Sequence, residues 1–192
     1  MMTILVATAS LHDRAFGWIE RQLEPWFLGL SARLIFSSVL MVYFLNSAQT
    51  KLGDGPLGLF SPSIGAYAQI VPPIAEAAGY DVNQIAFMPW GLIVLAGTLA
   101  EFILPLLIFI GLATRLAALA FISFIAVMTF VDIHFHAVGA ETIGQLFDSV
   151  HNSAILDQRL LWLMPLLLLI TKGPGILSVD YLLTRWLGSE SR

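Results

Sequence analysis

The chain has 192 residues and a formal net charge of −4, with 58% hydrophobic and only 11% charged residues. Soluble globular domains carry about 25% charged residues, so this composition and the mean hydropathy of +0.85 indicate an integral membrane protein. The few basic residues form no patch, so nucleic acid is not an expected partner. The absence of cysteine excludes disulfides and cysteine-ligated metal clusters.

Residues 1–24 are predicted to form a cytoplasmic or interfacial segment rather than a membrane span. Ile4 to Leu11 is apolar, but no basic residue precedes it and Arg14 follows closely, which does not fit a signal peptide. Apolar residues then recur at roughly helical spacing, as expected for an interfacial helix: Phe16, Trp18, Ile19 and Leu23. A disordered tail is the alternative for this segment.

Residues 25–187 are predicted to form a membrane domain with four spanning helices, followed by a short tail at 188–192. A spanning helix needs about 20 mostly apolar residues, and the predicted spans are 31–50, 90–112, 115–136 and 152–171. In the fourth, the uninterrupted apolar run from Leu160 to Ile170 is short, so the span must include Asp157 and Arg159. The predicted fold is therefore an all-α, four-helix membrane bundle with short interfacial helices.

The distribution of basic residues predicts that both termini are cytoplasmic. With that orientation, seven of the nine Lys and Arg residues lie inside, and only Lys51 and Arg159 lie outside. Cytoplasmic segments of membrane proteins are enriched in Lys and Arg. The bilayer is thus the first expected partner of this multi-pass protein.

Three connections carry further predictions. The loop from Gly53 to Pro89 is rich in Ile, Val and Ala, so a helical or re-entrant piece is expected on the mouth of the bundle. The connection from Gly111 to Arg115 is short and predicts an antiparallel hairpin. After the fourth span, Gly173 is placed to end the helix, while Ser178 can cap a new short helix with Asp180 in its first turn.

Glu101 lies near the middle of the second span, where an ionisable side chain usually faces a partner or a cavity. Because helical side chains lean toward the N-terminus of their helix, the polar groups of all four spans are expected to gather in the outer half of the bundle. Lys51 and Arg159 are the predicted partners of Glu101. Arg33 is predicted to extend to the cytoplasmic headgroups instead.

These directions predict an outward-facing polar cavity that binds a small molecule or relays protons. Its candidate residues are Glu101, Lys51, Asp157, Arg159, Asn46, Gln49 and Trp162. An ion-pair network that only fixes the register of the helices is the alternative interpretation.

A metal site at Asp132, His134 and His136 is a second hypothesis, because carboxylate and imidazole are suitable ligands. In a continuous helix, residues two positions apart point to nearly opposite sides. The two histidines can therefore share an ion only if the helix ends near Ile133. No nucleophile, phosphate-loop or dinucleotide motif is present.

The ordered set of residues resembles the DoxX family of small four-helix bacterial membrane proteins. The resemblance covers about Arg33 to Tyr181 and rests on Arg33, Lys51-Leu52-Gly53, Glu101, Gly111-Leu112-Ala113-Thr114-Arg115, the His134/His136 pair, Asp157-Gln158-Arg159-Leu160-Leu161-Trp162 and Gly173-Pro174-Gly175-Ile176-Leu177-Ser178-Val179-Asp180. The chain departs from it at Asn46-Ser47, where this family often has a glycine before the lysine. The resemblance implies an inner-membrane location and an association with redox chemistry, since relatives include the small subunit of thiosulfate:quinone oxidoreductase.

Three functions follow as hypotheses. The first is a non-catalytic membrane subunit of an oxidoreductase complex, with quinone as its possible cofactor, bound near Glu101 and framed by Trp162 and Phe102. The second is a small transporter for a weak acid or a metal ion, which would need a homo-oligomer. The third is a membrane scaffold without a ligand.

Overall fold

The computed structural model describes residues 2–190, and the side chains of residues 10–187. This part of the chain is helical and contains no β-strand, which confirms the all-α class. We number its α-helices in chain order as α1 (Met2–Leu23), α2 (Phe27–Gln49), α3 (Ile64–Ile70), α4 (Pro72–Ala77), α5 (Phe87–Ile110), α6 (Thr114–His134), α7 (Ala140–Ile143), α8 (Leu156–Lys172) and α9 (Val179–Glu190). Two of them contain a π-helical segment, Ser37–Met41 in α2 and Phe87–Gly91 at the start of α5.

Within the described residues, α2, α5 and α6 are the helices long and apolar enough to cross a membrane. Helix α8 has 17 residues and begins at Leu156, four residues later than the predicted span. A reciprocal pair of hydrogen bonds spans this start: Ser153 N donates to Asp157 Oδ2 at 2.9 Å, and Asp157 N donates to Ser153 Oγ at 3.2 Å. The sequence pattern alone did not show that Asp157 serves the end of its own helix.

The four long helices α2, α5, α6 and α8 pack around an aromatic and aliphatic core. Helix α8 contacts α2 and α6, and α5 contacts the same two helices. Phe121 lies at the centre, with its ring 4.9 Å from that of Phe36 and 4.8 Å from that of Phe44. Fully buried Ala118 and nearly buried Ala117 let the helix backbones approach closely, as small residues do in membrane bundles.

The loop from Gly53 to Pro89 contains the helical piece that its apolar residues predict. Helices α3 and α4 pack together, and α3 lies against α5. Ala66, Tyr67 and Ala75 bury themselves against Val94 of α5. Burial raises the pKa of the Tyr67 phenol, so this side chain stays neutral. We call this end of the bundle the Lys51 end.

At the opposite end, which we call the Arg33 end, the predicted hairpin between α5 and α6 is confirmed. Gly111 ends α5 in the left-handed conformation, with φ of 72°. Leu112 N donates back to Leu107 O at 3.0 Å. A residue with a Cβ is disfavoured at this φ, so glycine suits this turn.

Helix α9 begins as predicted but contributes an unpredicted contact. Ser178 Oγ accepts from Tyr181 N at 3.2 Å, which confirms the cap. Asp180, expected to serve its own helix, instead caps α6: its carboxylate accepts from Ala113 N at 2.7 Å and from Thr114 N at 2.9 Å. The C-terminal segment is thereby fixed to the hairpin.

The predicted helix near the N-terminus is present as α1, so the disordered alternative is wrong for residues 2–23. Phe16 and Trp18 are exposed on it. Glu24, just beyond α1, accepts from Lys172 Nζ at 2.6 Å. Met1 of the predicted segment 1–24, and residues 191 and 192 of the predicted tail, lie outside the described residues; α9 itself extends to Glu190.

Candidate ligand cavity

A cavity of about 690 Å³ lies between α2, α5 and α6, toward the Lys51 end. Residues spaced three and four apart share one face of a helix, and one such face of α5 and one of α6 form its main walls. The wall on α5 includes Gly97, Ala100, Glu101 and Leu104, and the wall on α6 includes Ala120, Ser123, Phe124, Val127 and Asp132. Helix α2 adds Tyr43 and Ser47, and Lys51 follows just beyond its end. Gln69, Ile70, His136 and Val138 come from the segments at the Lys51 end of the cavity.

The predicted contact between Lys51 and Glu101 is present in the wall of this cavity. The distance from Lys51 Nζ to Glu101 Oε2 is 2.8 Å, and the two residues are only 3% and 5% exposed. Lys51 Nζ also donates to Ser47 Oγ at 2.8 Å and to Ser47 O at 3.3 Å. All three protons of the ammonium group therefore have acceptors.

Glu101 retains capacity to accept hydrogen bonds. A carboxylate offers about four lone-pair positions; Lys51 uses one of them at Oε2, and the Ser47 side chain also interacts with this carboxylate. Because Glu101 lines the cavity, its remaining positions are placed to accept from a bound molecule. The pair thus forms an acceptor site in otherwise apolar surroundings.

Arg159 is not the second partner of Glu101, so that prediction is wrong. Its guanidinium donates to Asp132 Oδ2 and, at 2.7 Å, to Thr129 Oγ1. Asp132 lines the cavity, whereas Arg159 does not. Both of its partners lie on α6, so Arg159 binds α8 to α6 and positions the Asp132 carboxylate.

The other predicted site residues lie outside the cavity. Asp157 is bonded to Ser153 at the start of α8, as described above, and Asn46 and Gln49 are exposed on other faces of α2. Trp162 packs on Tyr43 and Phe44, with ring centroids 5.8 and 6.1 Å away. Phe102 is likewise not part of the lining. The aromatic rings that do face the cavity are those of Tyr43 and Phe124.

The three residues of the metal hypothesis contact three different groups. Asp132 accepts from Arg159, His134 Nδ1 lies 3.0 Å from Phe130 O, and His136 Nε2 lies 3.0 Å from Gln69 O. Helix α6 ends at His134, close to Ile133, where a shared ion required it to end. This helix end does not by itself bring Asp132 and the two histidines together. Among the side chains that the structure describes, no three His, Asp or Glu residues are arranged to hold a metal ion.

Arg33 does not extend to the headgroups, which corrects its prediction. It is 8% exposed; its Nε donates to Ile108 O at 3.0 Å, and its other nitrogens donate to Phe109, Pro174 and Leu177 carbonyls. Ile108 and Phe109 lie in the last turn of α5, where carbonyls lack the donor that a further helical turn would supply; Ile108 O also accepts from Gly111 N at 3.2 Å. Arg33 is thus a structural residue. As predicted from the sequence, it is not a partner of Glu101.

Sequence comparison gives one family match. The DoxX family model matches residues 28–134, which is more than half of the chain and includes α2 from its second residue and all of α5 and α6. The motifs expected beyond His134 fall outside the matched range. Neither a search of curated proteins nor a search of solved structures returns a match. The extent of the family match shows that this chain belongs to the DoxX family of membrane proteins.

Proposed function

We propose that this protein is a non-catalytic subunit of a quinone-linked redox complex in the bacterial inner membrane. It would hold a quinone in the cavity beside Glu101, and a separate oxidoreductase subunit would supply the electrons. The observation that carries the proposal is an apolar cavity of about 690 Å³ with a buried ion pair, Lys51 and Glu101, in its wall. Ligand pockets commonly have this combination of apolar lining and few polar groups.

The chemistry of a quinone suits these walls. Its ring is flat and apolar, and Tyr43 and Phe124 offer aromatic surfaces on α2 and α6. The hydroxyl of the reduced form would donate to the Glu101 carboxylate. Asp132 and His136, on the α6 side of the cavity, would face the second oxygen of the ring.

The topology of the proposal has four spans and cytoplasmic termini. Helix α8 is about 26 Å long at 1.5 Å per residue, and its contacts with α2 and α6 support a fourth crossing. Seven of nine basic residues then lie on the cytoplasmic side. Alkaline phosphatase fused to the C-terminus tests this: we expect it to be inactive, and an active fusion would contradict the orientation.

Anaerobic titration of the purified protein with reduced decylubiquinone, whose hydroxyl can donate to the carboxylate, tests the role of Glu101. We expect saturable binding that weakens at least tenfold, about 1.4 kcal/mol, in Glu101→Gln, because the charged acceptor is replaced by a neutral amide. Quenching of tryptophan fluorescence provides the signal, since Trp162 packs on Tyr43 at the cavity wall.

The matched control is Glu141→Gln, the same change at an exposed position between α6 and α8. It should leave the affinity unchanged. An equal affinity of Glu101→Gln and the unmodified protein would eliminate the assigned role of Glu101.

A scaffold without a ligand is the second candidate, and the complete hydrogen bonding of Lys51 favours it. In this case the pair only joins α2 to α5. It predicts that Glu101→Gln lowers the unfolding temperature while a deletion strain carrying this variant keeps the unmodified phenotype. If the unmodified protein binds quinone and the Glu101→Gln variant fails to complement the deletion strain, the scaffold function is rejected.

A further inference from the structure

The cavity has a side opening between α5 and α6. Several lining residues on the two helices are exposed rather than covered by protein: Ala96 on α5 and Ala120, Ser123 and Val127 on α6. Val127 is 60% exposed. Both helices are long and apolar enough to cross a membrane, so these positions face the hydrocarbon of the bilayer.

The Lys51 end of the same cavity is covered. Ile70 of α3 packs directly on α5, where a Cβ built on Gly97 would lie 3.0 Å from its Cδ1. His136 lies just after α6, and its Nε2 is 3.0 Å from Gln69 O. This contact joins α3 to the segment after α6 at the Lys51 end of the cavity. Val138 N donates to Asp132 O at 3.4 Å, which turns the chain back over the end of α6.

We infer that the cavity receives its ligand laterally from the bilayer, through the gap between α5 and α6. The ligand class is a membrane-dissolved molecule with a compact hydrogen-bonding head and an apolar tail. The head lies beside Glu101 and the tail lies in the gap, along Ala120 and Val127. This inference rests on the proposed function for the identity of the head, but the side opening is a separate property of the fold.

The small side chains along the gap provide room for this tail. Ala96, Ala100, Ala120 and Ser123 leave space that larger residues would fill. A water-soluble ion or weak acid would have to pass the cover formed by Gln69, Ile70 and His136. The geometry therefore favours a lipid-soluble ligand over the ions considered for a transporter.

Nitroxide labels test the opening without any ligand, and the chain contains no cysteine that would interfere. We choose Ala100→Cys in the cavity and Ser123→Cys in the gap, with Ala126→Cys on the exposed side of α6 as the lipid reference and Asp54→Cys in a loop as the water reference. Collision with oxygen, which dissolves in lipid, is compared with collision with a water-soluble nickel chelate. We expect the labels at positions 100 and 123 to match the label of Ala126→Cys; a match with Asp54→Cys would overturn lateral access.

Binding kinetics in lipid nanodiscs test the route. Ala120→Phe should slow the association of decylubiquinone at least tenfold, whereas Ala126→Phe, the same change outside the gap, should leave it unchanged. Faster association in His136→Ala, or equal rates for the two phenylalanine variants, would overturn the route. Lipid-like labels without saturable quinone binding would retain the side opening and reject the proposed function instead.

Discussion

At the scale of single residues, the hydrogen bonds of the Lys51–Glu101 pair bear on which ligand the proposed quinone site would recognise. Lys51 already donates to three acceptors, two of them on Ser47. A quinone carbonyl would have to displace one of these bonds, whereas a hydroxyl can use a vacant lone pair of Glu101. The wall should therefore recognise a hydrogen-bond donor better than an acceptor.

This leads to a prediction about redox state. The reduced form of decylubiquinone should bind about tenfold more tightly than the oxidised form, which corresponds to about 1.4 kcal/mol. Anaerobic titrations of both forms measure the ratio. Glu101→Gln should narrow it because an amide oxygen is a weaker acceptor than a carboxylate. Tighter binding of the oxidised form would contradict this assignment.

Arg33 supports a different prediction, on stability. Arg33→Met should lower the free energy of unfolding by about 2–4 kcal/mol, because buried carbonyls of α5 and of the 174–177 segment lose a charged donor. Arg33→Lys should recover little of it, since an ammonium group cannot reproduce the planar fork of a guanidinium. Unfolding in detergent measures the difference.

The control for Arg33 is Arg21→Met, at an exposed position of α1, which should remain within about 0.5 kcal/mol. If Arg33→Met unfolded like this control, Arg33 would not hold the end of α5.

At the scale of elements, the Arg33 end depends on contacts between segments far apart in the chain. The segment after α8 crosses α2 at Gly29, where a Cβ would lie 2.4 Å from the Pro174 carbonyl carbon. The same segment accepts a hydrogen bond from Arg33 at the Leu177 carbonyl. It then leads into α9, whose Asp180 caps α6. Helix α9 is therefore part of the bundle through its first turn.

Asp180→Ala should destabilise the protein by about 1–2 kcal/mol, the usual effect of losing an N-terminal cap. The variant leaves Ala113 N, Thr114 N and Thr114 Oγ1 without their carboxylate. Asp180→Asn should lower the free energy of unfolding by less than Asp180→Ala does, because the amide keeps one oxygen acceptor. Thermal unfolding measures the loss of stability, with Asp54→Ala, a change at an exposed loop position, as the control. Equal unfolding midpoints for Asp180→Ala and the control would refute the cap.

The sequence correctly predicted the contact that depends on helix direction. It did not predict the contacts that form where a later segment folds back over the end of an earlier helix. Opposite directions of α2 and α5 were sufficient to bring Lys51 to Glu101. The position of Arg33 depends on residues 174–177 folding over the end of α5, which hydropathy does not reveal. Likewise Arg159 was matched by charge and depth to Glu101, but Asp132 lies closer across the contact of α6 with α8.

At the scale of the whole molecule, the cavity arises from small residues rather than from the polar ones that a sequence scan notices. Gly97 and Ala100 on α5, with Ala120 and Ser123 on α6, leave the space that gives the Lys51–Glu101 pair its surroundings. Their spacing is readable in the sequence, but the same spacing also fits close helix packing. The three-dimensional structure was needed to distinguish a packed contact from a gap.

The central claim is that this DoxX-family protein holds a quinone in the Glu101 cavity. Its most direct test is extraction from native membranes into polymer-bounded lipid discs, followed by mass spectrometry of the bound small molecules. We predict about one quinone per protein above the lipid background, lost in Ala100→Leu, which fills the cavity, and retained in Ala126→Leu, which does not. Quinone at background level in the unmodified protein, or equal amounts in both variants, would contradict the account.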